Sequence, residues 1–221
     1  IGETRKACCG AQMFLDSGDG LVFRGTPGNY YNPRTKQFHL SEEEAKALVE
    51  RVIVAFRAND AEGLPPSELV IHGRTRFNSE ECRGFSAGAP DSRITTVRIS
   101  DSNDLRLYAP RETPVLRGTA LRLDAQHGYL WTKGFISDLG TYQGREVPRP
   151  LAVEIVSGDT GLDTVMRDLL MLTKLNFNSC VFADGSPVTL RFADAVGEII
   201  TAIPERYSMS PDAPLPFKHY I

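Results

Sequence analysis

The sequence predicts an α/β fold in which a mixed sheet is flanked by helices. Three observations support this prediction. A glycine-turned hairpin pattern opens the chain, an apolar strand pattern then lies between two capped helix patterns, and a series of strand patterns is finally followed by two helical segments. Because strands and helices do not alternate regularly, the order argues against a doubly wound sheet.

The first predicted element is an antiparallel hairpin. Residues 12–15 and 21–24 are apolar strand patterns, and Asp-Ser-Gly-Asp-Gly at 16–20 joins them. The two glycines supply the positive φ that a tight hairpin turn requires.

Two capped helices surround the next strand. Ser41 and Glu44 form a capping box before apolar residues at helical spacing, which predicts a helix over 42–57. Residues 68–72 form a short apolar strand, and Asn78 then resembles the cap of a second helix.

The rest of the chain predicts strands followed by two helices. The predicted strands cover 94–100, 105–108, 120–123, 128–133 and 151–156, and the predicted helices cover 162–176 and 190–202.

Composition excludes several classes of protein. With 221 residues, 41% hydrophobic and 24% charged, the chain is neither disordered nor collagenous nor a bare coiled coil. A net charge of -3 argues against a globally basic nucleic-acid coat protein. Nevertheless, residues 70–122 contain nine arginines and no lysine against six acidic residues, and arginine suits bidentate phosphate contacts. This is also the pattern of solvated strand and loop faces.

Common motifs of enzymes and membrane proteins are absent from the sequence. It contains no P-loop, G-x-G-x-x-G, G-x-S-x-G or H-E-x-x-H, and its four cysteines lack zinc-site spacing. Apolar stretches fall short of the ~20 residues that span a bilayer. We therefore expect a cytoplasmic protein with free thiols and no membrane partner.

The segment Ile71-His72-Gly73-Arg74-Thr75-Arg76-Phe77 resembles the PIWI domain of prokaryotic Argonautes, in which an apolar strand ends in a His-x-Asp-Gly-Arg-Phe-like turn before a helix. The resemblance continues through 114–119, 140–142, 147–150, Leu-Thr-Lys-Leu-Asn-Phe-Asn at 172–178, Arg-Phe-Ala-Asp at 191–194 and the aromatic-Ile tail. It implies that residues 1–221 form one PIWI domain with an RNase H-like fold. Because the chain begins Ile-Gly-Glu-Thr without an initiator Met, we expect an N-terminal MID domain to be missing from it.

The resemblance also implies a degenerate catalytic site. In cutting PIWI domains Asp, Glu, Asp and a final Asp or His hold two divalent metals. Here Arg74 aligns with one Asp and Arg191 with the final ligand, while only Ile1 and Gly2, followed by Glu3, represent the first strand. Cations at ligand positions repel Mg²⁺, so we expect no catalytic residues and no cleavage.

The same resemblance implies nucleic-acid contacts. The candidate binding residues are Arg74, Arg76, Lys174, Asn176, Asn178 and Arg191.

The C-terminus carries a separate implication. Ile221 is apolar and follows Phe217 and Tyr220, which suggests burial, and a buried terminal carboxylate needs a cation. In the family that the chain resembles, this carboxylate helps to hold a divalent ion, here expected to be Mg²⁺, against the 5′ phosphate of the guide.

The resemblance is closest to short prokaryotic Argonautes, which consist of MID and PIWI domains with an associated effector. It implies a guide RNA, a single-stranded DNA target, and an effector subunit with an APAZ-like region and sirtuin-like, TIR-like or nuclease chemistry. The implied role is prokaryotic immunity, that is, antiviral defence. The residues themselves do not separate RNA from DNA.

Two alternatives remain open at the level of sequence. The first is an active RNase H-like endonuclease with two metals held elsewhere, for example among Asp16, Asp19, Asp159 and Asp194. The second is a scaffold that docks an effector and binds no nucleic acid.

Overall fold

The computed structural model describes most of the chain. The described residues are 10–14, 20–24, 31–32, 37–108, 110, 112–142, 144, 146–175, 185–202 and 215–216. The strands are β1 (Gly10–Phe14), β2 (Gly20–Arg24), β3 (Tyr31–Asn32), β4 (Gln37–Phe38), β5 (Glu68–Gly73), β6 (Arg93–Asp101), β7 (Ala120–Arg122), β8 (His127–Leu130), β9 (Leu151–Ser157) and β10 (Leu215–Pro216). The helices are α1 (Glu42–Asn59), α2 (Ser79–Gly88), α3 (Leu162–Leu172) and α4 (Val188–Ala202).

The chain divides into two compact units, and neither is continuous in sequence. Unit 1 comprises Ile1–Val70, Phe77–Ile94 and Arg191–Ile221, and unit 2 comprises Ile71–Arg76 and Thr95–Leu190. Three of the four boundaries fall inside β5, β6 and α4, and the fourth lies between β5 and α2.

Unit 1 contains the predicted hairpin. β1 pairs with β2 in antiparallel register, and β10 pairs with the other edge of β2. Met13 of β1 packs with Leu48, Val52 and Ala55 of α1 in a small hydrophobic core. The predicted hairpin is therefore confirmed, and α1 packs against it.

Helices α1 and α2 approach each other closely through glycine. At Gly88 an added Cβ would lie 2.7 Å from the carbonyl oxygen of Lys46 and 3.0 Å from Val49 Cβ. Gly84 is equally confined against Ala45. Both positions therefore exclude any larger residue unless the helices move apart.

The Glu81 carboxylate links α2 by hydrogen bonds to the residues before α1. It accepts from the backbone N–H of Asn78 at 2.8 Å, which completes the predicted cap of α2. It also accepts from the N–H of Leu40 at 3.0 Å and contacts Nδ1 of His39 at 2.9 Å. Glu81 is buried, so these partners replace the water that its charge loses.

Unit 2 is built around a mixed five-stranded sheet with the strand order β5-β6-β9-β8-β7. β6, β9, β8 and β7 are joined by three antiparallel pairings. Alternate residues of β9 are buried, as expected for a sheet with one covered face. The covered face and α3 form the larger core, which comprises Val97, Ile99, Leu130, Leu151, Val153, Ile155, Leu162, Val165, Met166, Leu169 and Leu190. The predicted α/β fold, a mixed sheet flanked by helices, is confirmed.

One predicted strand is wrong and one helix ends early. Residues 105–108 are irregular. Arg106 Nη1 donates to the carbonyls of Asn103 and Leu105, so these carbonyls have a side-chain partner in place of a neighbouring strand, and Tyr108 is exposed. α3 ends at Leu172 rather than 176, where the N–H of Lys174 turns back to the Met171 carbonyl. No helix in the described part of the chain is long and apolar enough to cross a membrane.

Candidate nucleic-acid interface

The turn after β5 carries the first two candidate residues. Arg74 Nη1 lies 3.5 Å from Asp101 Oδ2, at the end of β6. Both side chains are largely exposed, at 37% and 73%, so their ion pair adds little to stability. Arg74, which the sequence resemblance places at the position of a metal-binding Asp, therefore has a carboxylate beside it.

Arg76 binds a different carboxylate. Its Nε donates to Glu154 Oε1 at 2.6 Å, and Arg98 Nη1 lies 3.4 Å from Oε2 of the same residue. Arg98 and Glu154 are directly opposite each other on β6 and β9. Burial alone would raise the pKa of Glu154, but the hydrogen bonds and charges of the two arginines outweigh burial and lower it.

His127 extends this row of charged groups onto β8. It is the partner of Glu154 in the strand register, and its Nε2 lies 3.9 Å from Glu154 Oε1. Its Nδ1 lies 2.9 Å from Asp124 Oδ2, and two backbone N–H groups also donate to Asp124. These hydrogen bonds lower the pKa of Asp124. A shallow cleft beside the row is lined by Ser100, Tyr129 and Ala152, among others.

The remaining candidates lie on a helix, just after a helix, or outside the described residues. Lys174 is exposed just after α3, and Arg191 is half-buried in the first turn of α4. Arg74, Arg76 and Lys174 belong to unit 2, whereas Arg191 belongs to unit 1. Asn176, Asn178 and Ile221 lie outside the described residues, as do Asp16 and Asp19.

Two of the carboxylates in the alternative nuclease hypothesis are described. Asp159 is exposed after β9 in unit 2, and Asp194 is exposed on α4 in unit 1. Among the described residues, no group of three or more His, Cys, Asp or Glu side chains is arranged to hold a metal ion.

The acidic partners of the arginines were not predicted from the sequence. Asp101 and Glu154 lie far along the chain from the turn that carries Arg74 and Arg76. Residues of β9 alternate between the two faces of the sheet, and Glu154 lies on the face away from the core. This alternation was the sequence signal from which the position of Glu154 could have been predicted. Only the pairing of β6 with β9 brings it to Arg98.

Comparison by sequence gives no relative: no protein-family model matches the chain, and no curated protein matches it significantly.

Comparison by structure gives Argonaute proteins. The Clostridium butyricum Argonaute, solved with a guide DNA and a 19-mer target DNA, matches 92% of this chain with a TM-score of 0.63 and 15% identity. An Aquifex aeolicus Argonaute matches 97% of this chain with a TM-score of 0.61 and 15% identity. The same organism's protein with externally bound siRNA matches 97% with a TM-score of 0.55 and 16% identity.

These matches establish the fold. The chain covers 28%, 30% and 29% of the three solved chains, so it spans less than a third of their length. The PIWI-like fold expected from the sequence resemblance is confirmed.

Proposed function

We propose that this chain is the guide-binding PIWI part of an Argonaute that recognises a complementary target through its guide and does not cleave it. The observation that carries the proposal is the fold shared with Argonautes over 92–97% of the chain, one of them solved with both guide and target. In guided recognition, base pairing supplies the sequence specificity and the protein holds the backbone.

The charge distribution supports a protein that contacts the nucleic-acid backbone and leaves sequence specificity to base pairing. The net charge is -3, yet residues 70–122 are rich in arginine. In this proposal Lys174, which is exposed, contacts backbone phosphates. Arg191, Asn176 and Asn178 are separate candidates for the same kind of contact. Arg74 and Arg76 contribute by exchanging a carboxylate partner for a phosphate.

The proposal of an inactive site rests on Arg74 and Arg191. Both occupy positions where cutting relatives of the family that the sequence resembles carry a metal ligand. At ~4 Å, even an effective dielectric of 20 gives several kcal/mol of repulsion between unit charges, so Mg²⁺ does not bind beside a guanidinium without compensation. Activity is then supplied by an associated effector subunit that responds to target binding.

The proposed ligands are an RNA guide and a single-stranded DNA target. We further propose that the Ile221 carboxylate and Mg²⁺ hold the 5′ phosphate of the guide. Phosphate and carboxylate oxygens are hard ligands suited to this ion. The biological role that follows is effector activation in prokaryotic antiviral defence.

The decisive experiment is guide-dependent target binding. The purified protein is loaded with a labelled 5′-phosphorylated RNA of about 20 nucleotides, and its affinity for complementary and scrambled single-stranded DNA is measured. We expect complementary DNA to bind at least about tenfold more tightly, a difference of about 1.4 kcal/mol. Equal affinities, or binding of an effector partner with no retention of nucleic acid, would contradict the proposal and favour a scaffold.

The choice between RNA and DNA is tested separately. Nucleic acid that co-purifies with the protein from its native host is sequenced after digestion with RNase or DNase. We expect short RNA with a 5′ phosphate; short DNA would instead indicate a DNA guide.

A further inference from the structure

The basic residues of unit 2 fall into two groups. Arg74, Arg76, Arg98 and Arg122 each have a carboxylate oxygen within 4 Å. Arg149 likewise lies 3.4 Å from a carboxylate oxygen of Glu146. Within the described ranges, Arg117 and Lys174 of this unit have no carboxylate oxygen at such a distance. Because a carboxylate neutralises the first group, the second group retains more attraction for an external anion.

Arg117 is hydrogen-bonded to the residue that precedes Lys174, at the C-terminal end of α3. Arg117 Nη2 donates to Thr173 Oγ1 at 2.5 Å, and Lys174 is the next residue. The Thr173 hydroxyl in turn donates to the Leu170 carbonyl at 2.6 Å. Thr173 is fully buried whereas Lys174 is exposed, so the hydrogen bond anchors the guanidinium beside a cation that faces solvent.

The backbone around Arg117 is held firmly. Its N–H donates to the Phe135 carbonyl at 3.0 Å, and the N–H of Gly118 donates to the Trp131 carbonyl at 2.8 Å. Trp131 is buried, with a relative exposure of 1%. A cation on such a segment is positioned before a ligand arrives, which reduces the entropy lost on binding.

The guanidinium of Arg117 has unused hydrogen-bonding capacity. Its Nε is buried and has no hydrogen-bond acceptor among the described residues, and burial lowers the pKa of the side chain. A desolvated donor without an acceptor costs free energy, and an anion recovers that cost only if the side chain turns so that Nε reaches it. The planar guanidinium fork suits the oxygens of a phosphate in particular.

We propose that Arg117 and Lys174 form a binding site for a phosphodiester group of the bound nucleic acid, with Thr173 orienting the guanidinium. The inference rests on the proposed function, since it assigns part of the same interface. It differs from the assignment of Arg74 and Arg76, because those two residues have carboxylate partners.

A purely structural role for Arg117 makes different predictions. In that case the residue only fastens its turn to the end of α3, where the helix dipole favours a cation. Thr173→Val removes the hydrogen bond but keeps the charge, and the side chains are similar in size. If Arg117 acts by its charge, Arg117→Ala changes the salt dependence of binding and Thr173→Val does not.

The test is the salt dependence of affinity. The affinity of the purified protein for a pre-formed RNA–DNA duplex is measured over a range of salt concentrations for the wild type, Arg117→Ala, Arg117→Lys, Lys174→Ala and Thr173→Val. Each phosphate contact adds about one to the slope of log affinity against log salt. We expect Arg117→Ala and Lys174→Ala each to reduce the slope by about one, while Thr173→Val and Arg117→Lys preserve it.

Arg93→Ala is the matched control. It removes the same single charge from an exposed arginine of unit 1 that is paired with Glu68, and we expect an unchanged slope. Unchanged slopes in both Arg117→Ala and Lys174→Ala, with a wild type that binds, would overturn this inference and leave the proposed function standing. A wild type that does not bind nucleic acid would overturn both. Because Lys174 is exposed, its variant gives a result even if Arg117→Ala does not fold.

Discussion

His72 Nδ1 lies 3.0 Å from Thr189 Oγ1, so the end of β5 is joined to the first turn of α4 by an imidazole and a hydroxyl. Burial lowers the pKa of His72 to about 4. The imidazole is therefore neutral at physiological pH, beside the turn that carries Arg74.

This neutral histidine predicts a loss of stability in acid. Between pH 6.5 and about 4 the unfolded chain binds a proton at His72 and the folded chain does not, so the free energy of unfolding falls as the pH falls. The contribution lost over this window is about 3 kcal/mol. Chemical unfolding at several pH values, for the wild type and His72→Gln, measures it. The same pH dependence in both proteins would show that His72 does not titrate in this way.

The carboxylate of Glu81 predicts a large stability effect from one substitution. Glu81→Ala leaves the N–H groups of Leu40 and Asn78 without their acceptor, and we expect it to lower the free energy of unfolding by about 3 kcal/mol. Glu80→Ala removes the same charge from an exposed neighbour in α2 and is expected to change stability by less than about 0.5 kcal/mol. Urea unfolding of both variants is the measurement, and equal effects would rule out a special role for Glu81.

Arginine at positions 74 and 191 predicts that target strands stay intact. With Mg²⁺ or Mn²⁺, a guide and a matched target, we expect no product at any time, because the proposed inactive site has arginines where cutting relatives of the family that the sequence resembles carry metal ligands. A cutting Argonaute on the same substrates shows that the conditions support cleavage. Guide-directed bands that disappear with EDTA would refute the prediction and favour the nuclease alternative.

The C-terminal carboxylate predicts sensitivity to extension. Adding two residues after Ile221 moves the carboxylate but leaves the aromatic side chains of the tail in place. We expect the preference for a 5′-phosphorylated over a 5′-hydroxyl guide to be lost, since the proposed metal loses a ligand. Competition binding between the two guides measures the preference. An undiminished preference in the extended protein would remove Ile221 from the guide site.

The main elements were predictable because their signals are local. Ser41 and Glu44 predicted the start of α1, and the structure shows the complete capping box. The apolar residues at 151–156 predicted β9 in the same way, and the structure shows the burial of alternate residues there. The prediction of a strand at 105–108 was wrong because a short apolar run does not show whether a partner strand is available. Here the carbonyl of Leu105 accepts from the Arg106 side chain instead.

The candidate site was less predictable because its charges are neutralised over long distances in sequence. Arg76 and Glu154 are 78 residues apart, and only strand order and register join them. Likewise, 56 residues separate Arg117 from Thr173. A count of arginines identifies a basic region, but it does not show which of them already have a carboxylate partner.

The discontinuity of unit 1 has a consequence for synthesis on the ribosome. Val22 of β2 pairs with Leu215 of β10, near the other end of the chain. At about 5–20 residues per second, the ribosome needs about 10–40 s after making Val22 before it has made Leu215. For that time one edge of β2 has no native partner and is open to pairing with other nascent strands. A chaperone that covers this edge during translation would prevent such pairing.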